Sequence, residues 1–359
     1  MNHRQRFEAL MRHEPCDKTM FDLIAQPQVT DNIVKAMNVK DFDELCVKWD
    51  IGMRHIDHKD YTSAFLPNSR SSYEELVKKG EYTDIWGITR RRVRNEFGFY
   101  DEAVSMPFVD METLEDVEAY NWPPVDIMDF SHLKEDCAKY HDDYVVVFGS
   151  PGIMDILTGT GHGRGFDRLM LDLAMEDPVI YALLDKRNDF FLEMVDRALS
   201  AAADVIDVLW LGDDYGMQTG QMMSLPMWRK VFKPRMKAYI DLAHKYGVKA
   251  MFHSCGANRP LIPDWIEMGL DIYQAVQTDA VGMEAEGLFR DFGKDIVFHG
   301  MIGQQSVLSQ GTPDDVRKFV RDTIKASGGT GYICAPTHFL ELDVPLENAL
   351  AMYECDRTP

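Results

Sequence analysis

Residues 248–256, VKAMFHSCG, decide the fold. Val248, Ala250, Met251 and Phe252 read as a short buried strand, which ends in His253, Ser254 and Cys255 and breaks at Gly256. A strand that is apolar along its length and then presents an imidazole and a thiol is an unusual core element. In a barrel or open sheet of parallel strands, the C-terminal ends are where ligands sit. His-x-Cys places two borderline-soft donors within one loop turn, which suits zinc in tetrahedral geometry. Taken alone, the tripeptide reads more readily as a core-capping histidine beside a buried free cysteine. The rest of the chain decides between the two.

Working outward, residues 144–148 (YVVVF) form a fully apolar strand ending in Gly149-Ser150-Pro151-Gly152, and residues 205–211 form the next, ending in Gly212-Asp213-Asp214-Tyr215-Gly216. Beyond the central stretch come strands over 271–276, closed by Gln277, over 296–298, closed by His299 and Gly300, and over 331–334, closed by Ala335-Pro336-Thr337-His338. Residues 166–175, 178–202, 227–246, 260–268 and 313–327 between them read as helices. Strand and helix thus alternate at least six times with no linker, the rhythm of parallel strands joined by helical crossovers. Adding residues 20–25 and one strand from 50–61 brings the count to about eight, the number that closes a (β/α)8 TIM barrel. A doubly wound open sheet is the alternative. The barrel is preferred because Asp213, Asp214, His253, Cys255, Gln277, His299, Cys334 and His338 all fall at strand ends, and only a closed barrel points them at one mouth. Residues 1–359 are then expected to form one domain whose first 140 residues are irregular and carry a hairpin insertion.

The chain carries 38 basic and 59 acidic residues, a net charge of −21, which argues against a nucleic-acid partner because phosphate neutralisation needs a basic face. No apolar run approaches the roughly 20 residues of a membrane span. The opening MNHRQRFEAL reads as a charged amphipathic helix rather than a signal peptide, so the cytoplasm is the expected location. Six cysteines are scattered without a repeating spacing, which is no disulfide framework in a chain this long. The 22 methionines read as adaptable core.

Two early stretches carry further candidates. Residues 49–60, WDIGMRHIDHKD, place His55 and His58 near Asp57 and Asp60, either a second metal cluster or a polar strand end. Residues 84–95 and 96–104 read as two strands, the first bearing Arg90, Arg91, Arg92 and Arg94; these either grip a carboxylated ligand or form a solvated hairpin face.

If the barrel closes, His253 and Cys255 share its mouth with His338 or Cys334, giving three zinc donors and an open fourth position, as in a catalytic rather than a structural site. Asp213 or Asp214 would orient a ligating imidazole or act as a general acid, and one of the two is expected to cap a helix instead. His299 is a further catalytic candidate, and Tyr215 and Gln277 are candidates for binding substrate.

The runs LGDDYGMQTG, FHSCGANRPLIPDWIEMGLDIYQAVQTDAVGM, FGKDIVFHGMIGQQSVL and GYICAPTHFLELDVPLENALAMYE together resemble the uroporphyrinogen decarboxylase superfamily, and within it the cobalamin- or corrinoid-linked methyltransferases. The resemblance is strongest over about residues 140–356. It implies a TIM barrel, a zinc ion held by His-x-Cys and a later cysteine, and a methyl group exchanged between a small donor or acceptor and a corrinoid protein, with a homodimer as a possible assembly. His253 and Cys255 match the first two ligands. The third departs from the pattern: the family's late cysteine follows an Ala-Pro-x step, which aligns it with His338, while Cys334 lies four residues earlier. Decarboxylases of the superfamily carry an arginine-bearing loop after the first strand, where this chain reads AQPQVTDN without arginine. A carboxy-lyase activity is therefore the alternative.

Overall fold

The computed structural model describes residues 1–62, 80–94 and 99–359. Along these, eleven strands follow one another: β1 (Met20–Phe21), β2 (Met53–Ile56), β3 (Glu81–Thr83), β4 (Thr89–Arg94), β5 (Phe99–Ser105), β6 (Val145–Gly149), β7 (Val208–Gly212), β8 (Lys249–His253), β9 (Ile272–Val276), β10 (Val297–Ile302) and β11 (Tyr332–Pro336). Eight pair in parallel in the order β1-β11-β10-β9-β8-β7-β6-β2. Gly52 N donates to Phe21 O at 3.2 Å, bringing the two end strands together. The result is the TIM barrel that the strand rhythm predicts. Strands β3, β4 and β5 form a separate antiparallel sheet, the expected insertion.

The barrel strands are mostly apolar because they are buried on both faces, and the polar exceptions include His55, His253, Gln274 and His299. Met20, Met53, Val145, Val147, Val208, Trp210, Met251, Ile272, Val297 and Ile333 pack together inside the barrel. Their strand neighbours, such as Phe148, Leu209, Phe252, Tyr273, Phe298 and Cys334, belong to the larger core beneath the surrounding helices. The helix His3–Met11 adds Phe7 and Leu10 to the inner cluster. It is anchored at the N-terminal ends of β6 and β7, where Arg4 Nη1 donates to Tyr144 O at 3.0 Å and Arg4 Nη2 to Asp207 Oδ1 at 2.9 Å. The barrel therefore has an apolar floor at that end, and its chemistry is confined to the other.

Two sequence expectations need correction, and one open alternative is decided. Strand β10 does not close at His299 but runs on to Ile302. Gly300 makes this possible: its φ of +112° accommodates a register shift against β9, and the strand then pairs on with β11. His299 consequently lies in mid-strand. The helix expected over 227–246 is two helices, Leu225–Val231 and Lys233–Lys245, because Pro234 lacks an N–H and is tolerated only in a first turn. His55 and His58 also go separate ways: His55 Nε2 meets Asp22 at 2.9 Å, whereas His58 Nδ1 meets Asp57 at 3.0 Å.

The hairpin arginines are engaged with acidic neighbours: Arg90 with Asp84, Arg91 with Glu81 and Arg92 with Asp101. Residues 95–98 of that stretch lie outside the described residues. A fully buried ion pair ties the segment after the hairpin to the barrel. Arg164 meets Asp172 at 2.9 Å and also donates from Nη1 to Phe108 O and Met111 O, both at 2.6 Å. Arg164→Ala would leave the Asp172 charge buried with only Arg168 beside it. Unfolding in denaturant is expected to show a loss of about 3–5 kcal/mol, with the Arg164→Leu/Asp172→Leu double variant less affected than either single one.

Candidate metal centre

His253 is the last residue of β8 and faces into the barrel, and the turn that follows is held almost entirely by side chains. Ser254 N donates to Gln274 O at 2.8 Å, and Ser254 Oγ accepts from Tyr215 N at 3.1 Å. Cys255 N donates to Asp214 Oδ1 at 2.8 Å, and Gly256 N to Gln277 Oε1 at 2.8 Å. Asn258 Nδ2 donates to Cys255 O at 2.6 Å, and the Tyr273 hydroxyl to Ser254 O at 3.1 Å. Buried backbone groups need such partners, and here they fix where the Cys255 thiol points.

The turn brings Cys255 Sγ to 3.2 Å from His253 Nε2. His338, in the loop after β11, completes the group: one ligand atom from each of His253, Cys255 and His338 lies within 4.8 Å of the others. Zinc bonds of about 2.0–2.3 Å in a tetrahedron separate neighbouring donors by roughly 3.3–3.7 Å, so a small side-chain rotation closes the set.

The imidazoles are also held in orientations that suit a metal. Trp210 Nε1, which can only donate, points at Gln274 Oε1 at 3.2 Å, so the nearby His253 Nδ1 at 2.6 Å must likewise donate to that oxygen. That leaves the lone pair of His253 on Nε2, the atom facing Cys255. Burial lowers the pKa of His253 and keeps the ring neutral, as ligation requires. His338 Nδ1 lies 3.5 Å from Glu341 Oε1, a carboxylate partner for its far nitrogen. Glu341 is in turn met at 3.3 Å by Gln26 Nε2, from the residue that precedes the helix Pro27–Ala36. Burial, and then the Asp214 carboxylate, hold the Cys255 thiol well above its usual range. Metal uptake must therefore release its proton, and affinity falls as pH falls. The donor set fits zinc.

Gln274→Leu removes the acceptor that fixes the His253 tautomer while leaving all three donors in place. Zinc affinity, measured by competition with a chromophoric chelator, is expected to fall about 10–100-fold.

The other candidate residues divide. Asp214 borders the cluster, with Oδ1 3.7 Å from His253 Nε2. Asp213 instead caps the helix Leu157–Arg164, accepting from Leu157 N at 2.7 Å and Thr158 N at 3.1 Å. Burial, with Asp155 beside it, holds its carboxyl well above the usual range. The Tyr215 ring packs among Trp228, Phe232 and Phe252 in the outer core. Gln277 shapes the turn through Gly256. His299 lies in the barrel interior on Asp22, at 2.9 Å. Cys334 faces the helical layer, on the opposite side of β11 from Ile333, and is not brought to the cluster.

Sequence reasoning passed over Gln274, Asn258, Glu341, Gln26 and Asp22. A signal existed for Gln274, the one polar residue in the otherwise apolar and fully buried strand IYQAV.

Comparison with solved structures places the fold. A methyltransferase from Methanosarcina mazei superposes with a TM-score of 0.62 at 15% identity, covering 98% of this chain and 97% of the other. A B12-independent methionine synthase from Shewanella sp. W3-18-1 gives a TM-score of 0.45 at 11% identity, covering 95% of this chain and 97% of the other. A search of curated proteins finds no match. The family model of uroporphyrinogen decarboxylase matches residues 144–358, which span β6 to the C-terminal helix and carry all three donors of the cluster. The chain belongs to the uroporphyrinogen decarboxylase family.

Proposed function

We propose that the protein is a zinc-dependent methyltransferase that moves a methyl group between a small methoxylated or methylated compound, or a thiol, and a corrinoid carried by a partner protein. The observation that carries this function is the convergence of His253, Cys255 and His338 at the mouth of the barrel, with His253 held at its far nitrogen by Gln274 and Glu341 standing beside His338. Three protein donors leave one position open to a substrate atom. A zinc ion there supplies Lewis acidity toward the oxygen, nitrogen or sulfur that carries the methyl group. The protein's own residues hold the donors and shape the entry. Asp214 flanks the cluster, and the part-exposed ring of Phe339, stacked on buried Trp210 at 6.1 Å, supplies apolar surface beside His338. The net charge of −21 suits docking of a complementary protein better than binding of an anionic small molecule. The Methanosarcina methyltransferase shares the fold along nearly the whole chain.

The family match favours a second function, a carboxy-lyase. Against it stand the arginine-free segment AQPQVTDN, which opens the helix Pro27–Ala36, and the pairing of Arg90, Arg91 and Arg92 with acidic residues of the same hairpin region. The experiment is to offer zinc-loaded protein a panel of methoxylated, N-methyl and S-methyl compounds with reduced corrinoid, and to follow the cobalt absorbance. Methylation of the cobalt is expected. Release of carbon dioxide from a porphyrinogen without methyl transfer would contradict it.

A further inference from the structure

A second polar constellation lies inside the barrel, on strands other than those that carry the cluster. Asp22, one residue past β1, is 1% exposed and accepts at once from His55 of β2, with Nε2 3.0 and 2.9 Å from its two oxygens, and from His299 of β10, with Nε2 at 2.9 Å. Leu23 N donates to the same carboxylate at 2.8 Å. The backbone of Asp22 is fixed as well: its N donates to Cys334 O at 3.0 Å, and the Tyr353 hydroxyl donates to its O at 3.0 Å.

Burial alone would raise the Asp22 carboxyl, but the two imidazoles outweigh it and hold the group far below the ordinary range, so it is ionised. An ionised carboxylate can only accept, so both rings present Nε2–H to it. Their other nitrogens, His55 Nδ1 and His299 Nδ1, are both buried and have no partner among the described residues. Two imidazoles with one nitrogen satisfied and the other unpaired are costly unless the free nitrogen has work to do. The carboxylate thus places its negative charge between two imidazoles inside the barrel.

We propose that Asp22, His55 and His299 form a proton-holding triad for the reaction at the neighbouring cluster, with Asp22 as positioning residue and an imidazole Nδ1 as the atom that carries the proton. The proposal rests on the methyl-transfer function above and deepens it. Demethylation of R–X–CH3, where X is oxygen, nitrogen or sulfur, breaks the X–C bond with its electron pair left on X. A reduced corrinoid brought by a partner would supply the electron pair for the new bond to the methyl carbon. One proton is then needed on X to give R–X–H, and it comes from the imidazole. In the opposite direction the imidazole takes the proton from a thiol or hydroxyl acceptor as that atom receives the methyl group. Neither direction balances without that proton. The ring of His55 is part exposed and lies 5.1 Å from Trp210, whose Nε1 donates to the same Gln274 oxygen that holds His253, so the triad and the cluster are linked through one buried side chain.

The test uses the zinc-loaded full chain and two readouts. Imidazole 15N–1H spectra are expected to show both rings as Nε2–H tautomers with downfield protons. One of these is lost in His55→Gln, and Asp22→Asn moves both upfield. In steady state, His55→Gln is expected to keep one zinc per chain and its KM within about 3-fold, while kcat falls about 100-fold or more. His55 is the partly exposed member, so a folding defect at fully buried His299 does not decide the outcome. Imidazole signals untouched by Asp22→Asn would overturn the triad whatever the reaction is. A kcat for His55→Gln within about 2-fold of the parent would overturn its proton role. A parent protein that moves no methyl group at all, with the spectra as expected, would instead sink the methyl-transfer function.

Discussion

His253→Ala is expected to give a folded barrel that holds no zinc and moves no methyl group. The side chain sits at the end of β8, facing inward, and its removal takes away one of three donors rather than a partner of a donor. The loss in affinity should therefore exceed the roughly 100-fold that losing a hydrogen-bond partner of a donor costs at most. Cys255→Ser should behave alike, because a hydroxyl is a poor substitute for thiolate. Two further variants separate the candidates for the third donor. His338→Ala should lose zinc. Cys334→Ala should keep it, because that thiol is buried against Tyr332 on the helical side of the barrel and burial pushes it further from the thiolate form. Zinc content by elemental analysis after dialysis, alongside circular dichroism to establish folding, reads all four.

The second large effect is expected at a glycine that touches no ligand. Gly256 has φ of +90°, and a Cβ placed on it would lie 2.5 Å from Gly216 C and 2.8 Å from Gly216 O. A Cβ on Gly216 would in turn lie 2.5 Å from Cys255 O. The loops after β7 and β8 are thus pressed backbone to backbone, and this contact sets where Cys255 and Asp214 stand. Gly256→Val meets both the left-handed conformation and the collision, a cost of more than about 2 kcal/mol. The loops must separate to relieve it, so zinc binding should fail together with stability. Gly220→Ala serves as the control: nothing lies within 4 Å of its Cβ and its φ is ordinary. Its effect should stay within about 0.5 kcal/mol. Thermal unfolding and zinc titration on the two variants check both halves.

How far the sequence carried the description depended on how local each cause was. The helices 178–202 and 313–327 appear with the predicted bounds because a capping side chain and a proline mark their starts, and 166–175 does so on its periodicity after Gly165. The barrel strands were visible as apolar runs since burial on both faces removes polar residues from them. Their ends were less visible. The bulge at Gly300 depends on pairing with β9 and β11, and nothing in the run VFHGMI reports a partner strand. The cluster itself was legible because His253 and Cys255 are neighbours in sequence and His338 lies in a recognisable loop. Its supports were not. The bond from Gln274 to His253 spans 21 residues and needs the pairing of β8 with β9, and that from His299 to Asp22 spans 277 and needs β1, β11 and β10 assembled side by side before the residues meet. Asp213 and Asp214 show the same limit: adjacent in sequence, they point to opposite tasks, one capping a helix and the other bordering the donors.

The most direct measurement is X-ray absorption at the zinc edge on the purified, zinc-loaded chain. Two nitrogens at about 2.0–2.1 Å and one sulfur at about 2.3 Å, with one further light atom, are predicted. A zinc shell without sulfur, or a chain that takes up no zinc, would contradict the centre at His253, Cys255 and His338.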